Sequence, residues 1–359
     1  MIVKARTALT SAEVPGTFFR MNPSPPFDEW FVNHHGMPQP LWWHVSAWER
    51  SEVADGDRET WLRDFIREWL RRLASALGPH YVVDESENFH LLSTLSGAPR
   101  SDALKFLERA RKTILGVLGE RIAPRGTVGK HLVLRFRTEE EYLCYVAHWL
   151  PDRESAATSG MCIYGDYVHI ASFEPQVFGV INHILVHELA HNLTFHLPQP
   201  TWLREGLAMF FESDISGGNV RGLDRDFVEE HRAFWNPETI QRFWKGESFS
   251  SVDGQHLSYS LADTLFRLIR SEVRPAMDAS QRFVLAAAWN DAGDSAARNY
   301  LGVGLDEVVA LFLGQGDWRP KPETWRTAIK PEPPPAAAGI PDENGFIWPE
   351  GLEPESEGK

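Results

Sequence analysis

The clearest pattern of hydrophobic and polar positions lies in residues 58–77, whose sequence is RETWLRDFIREWLRRLASAL. The large apolar residues recur every three or four positions, which is the spacing of one face of an α-helix. Gly78 follows as a stop signal. The opposite face is rich in Arg but also carries Glu and Asp, so we interpret it as a solvated face of mixed charge rather than as a binding patch.

From residue 88 onwards, strand-like and helix-like patterns alternate along the chain. Strands are favoured by NFHLLSTLS and KHLVLRFRT, and helices by SDALKFLERARKTILGVLG and EEEYLCYVAHWL. The segment MCIYGDYVHIAS is typical either of one strand or of a tight hairpin around Gly165 and Asp166, and a helix from about 177 to 196 follows it. This order predicts an α+β fold with a small mixed sheet and a mostly helical C-terminal half.

The two ends of the chain differ from this central part. Residues 1–55 are rich in Trp and Pro, which predicts an irregular segment packed onto the main domain, with a separate binding module as the alternative. The last residues are acidic and rich in Pro, which predicts disorder. The expected organisation is therefore an N-terminal segment with the amphipathic helix over 1–87, a central domain over 88–328, and a disordered tail over 329–359.

Composition narrows the class of protein further. The 359 residues include 43% hydrophobic and 24% charged residues, as in soluble globular proteins. A net charge of -14 argues against a nucleic-acid partner, and the absence of a long apolar run argues against a membrane span or a secretory signal. Two cysteines, Cys144 and Cys162, favour a reducing compartment, although they could form one disulfide. We therefore expect a cytoplasmic protein, whose oligomeric state the sequence does not indicate.

The candidate chemistry lies in the segment VINHILVHELAHNLTFHL. His187 and His191 are four residues apart in a predicted helix, so their imidazoles project from one face, one turn apart. Imidazole nitrogens suit Zn²⁺, and Glu188 can reach the open side of the metal. An ordinary helix with two His is the alternative. His183, one turn earlier, is expected to pack or to support the site, and His196 points off the ligand face.

A catalytic zinc needs a third protein ligand, and PTWLREGLAMFFE offers one. Glu205 lies 14 residues beyond His191, after a turn marked by Pro198 and Pro200 and within a predicted helix from Trp202 to Glu212. That helix can fold back and bring Glu205 to the metal, while Gly206 permits close helix approach. A Glu near a helix start is also favoured by the helix dipole alone.

These motifs resemble the gluzincin metallopeptidases, in particular the peptidase-MA-like domains with a short spacer between HELAH and a WLREGLA-type motif. The resemblance covers about residues 88–315 and implies a zincin-like catalytic domain. It also implies that His187, His191 and Glu205 bind zinc and that Glu188 is the catalytic base.

The chain departs from longer-spacer gluzincins at one position. Those proteins have an acidic residue four positions after the ligand Glu, where it supports a His, and Met209 occupies that position here. The resemblance therefore leaves this supporting role to Asn192 or Glu212.

The resemblance also suggests roles outside the two motifs. Relatives place a substrate-binding edge strand where YGDYVHIAS lies, although a plain structural strand is the alternative, and His169 in it is expected to be a satisfied strand residue. Tyr259 lies where relatives have a Tyr behind the site, and its phenol could stabilise an oxyanion. His256 is an alternative donor, and helix packing is the alternative role of Tyr259.

Together these features predict a zinc-dependent hydrolase that acts on a peptide or protein substrate, with Glu188 as general base. The motif residues do not fix the substrate, so hydrolysis of another amide or an ester is an alternative. A binding or scaffold protein with a relic metal site is a third, which an intact Glu188 argues against, since a structural zinc does not need that carboxylate.

Overall fold

The computed structural model describes residues 27–122, 129–149, 158–165, 167–174, 179–217 and 225–325. Its N-terminal part begins with a two-stranded hairpin and two helices, which are β1 (Phe31–His34), β2 (Met37–Pro40), α1 (Trp42–Glu52) and α2 (Arg58–Leu77). The prediction of an irregular segment was therefore wrong for these residues, because Pro is tolerated in the short β2 strand. The hairpin turns through His35 and Gly36, which have φ angles of 51° and 81°, and the Gly36 N–H donates to the Asn33 side chain.

Helix α2 has the bounds that its periodicity predicts. Its apolar face is fully buried through Phe65, Ile66, Trp69, Leu70 and Leu73. The Arg side chains on the opposite face pair with carboxylates, for example Arg67 with Glu85 at 2.7 Å and Arg71 with Glu68 at 2.7 Å. The interpretation of this face as a solvated face of mixed charge agrees with these pairs.

The central element is a five-stranded mixed sheet. In chain order its strands and their connecting helices are β3 (Val82–Glu85), β4 (Phe89–Ser93), α3 (Gly97–Leu118), β5 (His131–Phe136), α4 (Glu139–Val146), β6 (Gly160–Ile163) and β7 (His169–Phe173). The spatial order is β3-β4-β5-β7-β6. Strands β4, β5 and β7 are parallel, whereas β3 and β6 run antiparallel to their neighbours. The expected boundary at residue 87 falls between the paired strands β3 and β4.

The segment MCIYGDYVHIAS forms a hairpin, which was one of the two predicted possibilities. The prediction that YGDYVHIAS supplies the edge strand was wrong. Strand β7 lies between β5 and β6, so its second half is interior, and the edge is β6, which precedes it in sequence. The hairpin makes β6 and β7 neighbours, and the other side of β7 pairs with β5, which leaves β6 at the edge.

The C-terminal half of the described chain is helical. Its α-helices are α5 (Val180–Thr194), α6 (Thr201–Ser216), α7 (Arg225–Phe234), α8 (Thr239–Trp244), α9 (Gln255–Leu268), α10 (Met277–Ala286), α11 (Asp294–Ala296) and α12 (Leu305–Leu313). An α+β fold with a small mixed sheet is therefore confirmed. The predicted disordered tail lies outside the described residues.

The sheet separates two hydrophobic cores, because successive side chains of a strand point to opposite faces. Val133 of β5 belongs to the core formed with α3 and the C-terminal helices. Its neighbours Leu132 and Leu134 belong to the core formed with α1, α2 and α4. The N-terminal helices thus cover one face of the sheet, and α5 lies against the other.

Candidate metal centre

Helices α5 and α6 form the centre, and two glycines fix their placement. Gly179 precedes α5 with a φ of 86°, a conformation that favours glycine. At Gly206 an added Cβ would lie 2.6 Å from the carbonyl oxygen of Ala262, so only glycine lets α6 lie this close to α9. Trp202, Leu203, Leu207 and Phe211 of α6 are fully buried. The helix that carries Glu205 is therefore held firmly between α5 and α9.

The three predicted metal ligands converge. The candidate donor atoms of His187, His191 and Glu205 all lie within 4.8 Å of one another. Oε2 of Glu205 is 3.5 Å from Nε2 of His187 and 3.4 Å from Nε2 of His191. The described residues thus bring two imidazoles and one carboxylate to one point, as the sequence predicts.

The two N···O separations are longer than direct hydrogen bonds and match the spacing of ligand atoms around one metal ion. A hydrogen bond between such groups would measure roughly 2.7–3.2 Å. Ligand atoms that are about 2.0–2.2 Å from a tetrahedral zinc lie about 3.3–3.6 Å apart, which covers both N···O distances. The side chains of His187, His191 and Glu205 are 17%, 9% and 13% exposed, so the cluster is shielded from solvent but not sealed.

The electrostatics of the cluster show how strongly its charges interact. Burial alone would lower the pKa of His187, but the carboxylates of Glu205 and Glu212 outweigh it and raise this pKa to about 10. Burial would likewise raise the pKa of Glu205, but His191 and His187 hold it well below its usual range. Without a metal, the imidazole of His187 therefore keeps its proton beside these carboxylates, and a bound cation would replace that proton.

Support for His187, a predicted ligand, comes from Glu212, one of the two predicted candidates. The His187 Nδ1 atom donates to Oε2 of Glu212 at 3.1 Å, which directs Nε2 toward the cluster. Asn192, the other candidate, does not take this role. It accepts from Nδ1 of His131 at 2.7 Å and donates to the Val168 carbonyl, so it ties α5 to the sheet.

The carboxylate of Glu188 is held by a group that the sequence did not predict. The backbone N–H of Cys162 donates to Oε2 of Glu188 at 2.6 Å. Cys162 lies in the edge strand β6, whose Gly160 packs so closely on α5 that an added Cβ would lie 2.3 Å from Ile184. A backbone amide leaves no side-chain signal, whereas a glycine within a strand pattern is a weak sign of such a close approach.

The remaining predicted residues divide between the site and its surroundings. Tyr259 on α9 packs edge-on against Phe249, and its pKa is raised by burial and further by the negative charges of Glu205 and Glu188. Its phenol thus stays protonated in the field of the cluster. Nε2 of His256 instead lies 3.0 Å from Oε1 of Glu230, and 62% of the His256 side chain is exposed, which does not support a donor role at the site.

Two other histidines behave as the sequence suggests. His169 is fully buried, accepts from the Tyr145 hydroxyl at 2.7 Å and donates to the Tyr167 carbonyl at 2.7 Å, so it is a satisfied strand residue. His183 lies 3.6 Å from Glu212 and not at the cluster.

Cys144 and Cys162 are free, so no disulfide joins them.

No protein-family model matches this chain, and no curated protein matches it either. Among the described residues, no helix is both long enough and apolar enough to cross a membrane. The functional argument therefore rests on the residues of the cluster and on their geometry.

Proposed function

We propose that this chain is a zinc-dependent hydrolase, namely a peptidase of the gluzincin type. The observation that carries the proposal is the convergence of His187, His191 and Glu205 on one point. The negative charge of Glu188 acts on the same group, since it contributes to the raised pKa of His187. Two imidazoles and one carboxylate are a donor set typical of catalytic zinc, which keeps a further position open. A purely structural zinc would be expected to have four protein ligands.

The roles of the other groups follow from their contacts. Bound zinc would lower the pKa of a water molecule toward neutrality and polarise the carbonyl group of the substrate. Glu188 accepts the proton of the attacking water and returns it to the leaving amine, while the Cys162 amide fixes the orientation of its carboxylate. The protonated phenol of Tyr259 donates a hydrogen bond to the carbonyl oxygen, where negative charge develops.

The edge strand favours a peptide over other amides or esters as the substrate. An extended peptide can add to the outer edge of β6, which is the last strand of the sheet. Because Cys162 of the same strand contacts Glu188, a peptide that pairs there would pass beside the general base.

The first test of this proposal is metal content. Wild-type protein supplied with zinc should bind about one equivalent, and His187→Ala should lose at least about 1,000-fold in affinity, or about 4 kcal/mol. Circular dichroism shows whether the variant still folds. If the folded wild-type protein takes up no stoichiometric zinc, the proposal fails at its first step.

The second test is cleavage of a peptide library, followed by mass spectrometry. The zinc-loaded wild-type protein should cut peptides, whereas Glu188→Gln should keep its zinc and lose turnover by at least about 100-fold. Cleavage by Glu188→Gln at the wild-type rate would refute the role of Glu188. Activity on esters or non-peptide amides alone would favour the other hydrolase, and zinc binding without any turnover would favour a binding protein.

A further inference from the structure

The carboxylate of Glu212 lies between two imidazoles of α5. Its Oε2 atom is 3.1 Å from Nδ1 of His187, and its Oε1 atom is 3.6 Å from Nδ1 of His183. The three side chains are partly buried, with exposed fractions of 27% for Glu212, 29% for His183 and 17% for His187. One carboxylate thus contacts a predicted metal ligand and a second histidine that is no ligand.

The geometry of the helices explains why Glu212 occupies this place. Glu212 follows Glu205 by seven residues, so both side chains lie on one face of α6, two turns apart. The α6 helix runs back along α5, and two turns along α6 therefore lead from the cluster to the level between His187 and His183. Met209, four residues after Glu205, leaves no acid at the nearer position.

The two histidine ligands are supported unequally. Nδ1 of His187 donates to Glu212, whereas Nδ1 of His191 is buried and has no hydrogen-bond partner within the described part of the chain. A carboxylate that accepts from the outer nitrogen fixes the tautomer and ring orientation of a ligand histidine and makes the inner nitrogen a better donor to metal. Of the two histidines, His187 is therefore the one whose outer nitrogen is held by a hydrogen bond within the described residues.

We propose that His183, Glu212 and His187 form one positioning unit, in which His183 holds Glu212 and Glu212 orients His187 for the metal. This inference rests on the metal centre of the proposed function. Neither Glu212 nor His183 belongs to the cluster of His187, His191 and Glu205, so the proposal assigns both a positioning role. Nearby on α9, Arg267 forms an ion pair with Asp263 at 2.8 Å. Its guanidinium also donates a hydrogen bond to the hydroxyl of Ser213, the residue after Glu212.

The test measures zinc affinity by competition with a chromogenic chelator, together with the visible absorption of the Co²⁺-substituted protein. Glu212→Ala should lower the affinity about 10- to 100-fold and change the Co²⁺ spectrum. Glu212→Gln keeps an accepting oxygen and should recover part of that loss. Asp214→Ala is the matched control, because it removes an exposed acid from the same helix, and it should leave both readouts unchanged.

The contribution of His183 requires a double-mutant cycle. His183→Ala should lower the zinc affinity by a smaller factor, about 3-fold to 10-fold, and should have no further effect in the Glu212→Ala background. Equal effects of His183→Ala in both backgrounds would overturn the coupling through Glu212.

Several outcomes would overturn the wider inference. If Glu212→Ala keeps the wild-type zinc affinity and Co²⁺ spectrum, Glu212 has no positioning role. If Asp214→Ala loses as much zinc affinity as Glu212→Ala, the effect comes from the removal of a negative charge and not from the contact with His187. If Glu212→Ala does not fold, the near-isosteric Glu212→Gln takes its place, and wild-type zinc affinity in that variant would count against the proposal. A wild-type protein that binds no zinc would refute the proposed function itself, which distinguishes the two failures.

Discussion

Two histidines lie on opposite sides of the sheet, and their pKa values are shifted in opposite directions. His187 on α5 is surrounded by the carboxylates of Glu205 and Glu212, and its pKa is raised to about 10. His169 on β7 is surrounded by the rings of Trp69, Tyr145 and Trp149, and burial lowers its pKa to about 4. The same side chain is therefore a cation at one place and a neutral packing group at the other. The neighbours, and not the residue type, decide which histidine can serve chemistry.

The largest expected effect comes from replacing each of the two histidines in turn and measuring both zinc binding and stability. His187→Ala should weaken zinc binding by at least about 1,000-fold. His169→Ala should leave zinc bound and lower the free energy of unfolding by about 3 kcal/mol. This variant loses a fully buried ring and leaves the Tyr145 hydroxyl without its partner. Urea denaturation of the zinc-free protein measures the stability, and His80→Ala, at an exposed position, is the control. A folded His169→Ala variant that cannot bind zinc would remove the distinction between the two sites.

The sequence predicts the two regions unequally well, for a physical reason. The metal ligands depend on local spacing, because His187 and His191 share a helix and Glu205 follows after one turn. The edge strand depends on which strand lies outside after a hairpin, and β6 and β7 carry similar apolar patterns. The partners of His169 come from α2 and α4, which are distant in sequence. Local periodicity therefore predicts the helices and the ligands, but it cannot predict contacts that long-range pairing creates.

The contact between Cys162 and Glu188 shows the same limit at the site itself, since it is made by a backbone group. Its placement depends on Gly160, and this gives a prediction at the border between the two regions. Gly160→Ala would place a Cβ 2.3 Å from Ile184 and push β6 away from α5. We expect a loss of about 2 kcal/mol in the free energy of unfolding, together with a lower kcat on any substrate found.

A second substitution makes this prediction specific. Ile184→Ala removes the atom that the new Cβ would meet at 2.3 Å, while the Cβ of Ser172 at 3.3 Å remains. Adding Gly160→Ala to the Ile184→Ala variant should therefore cost much less stability than adding it to the wild-type protein. Urea denaturation of the four proteins measures the coupling. Additive losses would mean that the strand does not rest on Ile184, and the support of Glu188 by Cys162 would then need another cause.

The smallest expected effect concerns how the free energy of unfolding depends on pH. Its sign follows from the lowered pKa of His169. The unfolded chain binds the proton near pH 6.5, whereas the folded protein does so only near pH 4. Between these values the unfolded state binds more protons, so falling pH removes stability. His90 and His131 also have a pKa lowered to about 4 by burial, and they act in the same direction.

A comparison of two proteins isolates the part that belongs to His169. The difference in unfolding free energy between the wild-type protein and His169→Ala should shrink by about 1 kcal/mol from pH 6 to pH 5, because only the wild-type protein carries this imidazole, while His90 and His131 contribute equally to both. Urea denaturation of the zinc-free proteins at the two pH values measures it, and chelation of zinc keeps proton release at the metal centre out of the comparison. A difference that stays constant would mean that His169 binds its proton as readily in the folded protein as in the unfolded chain. The contrast with His187 would then be one of position alone and not of charge.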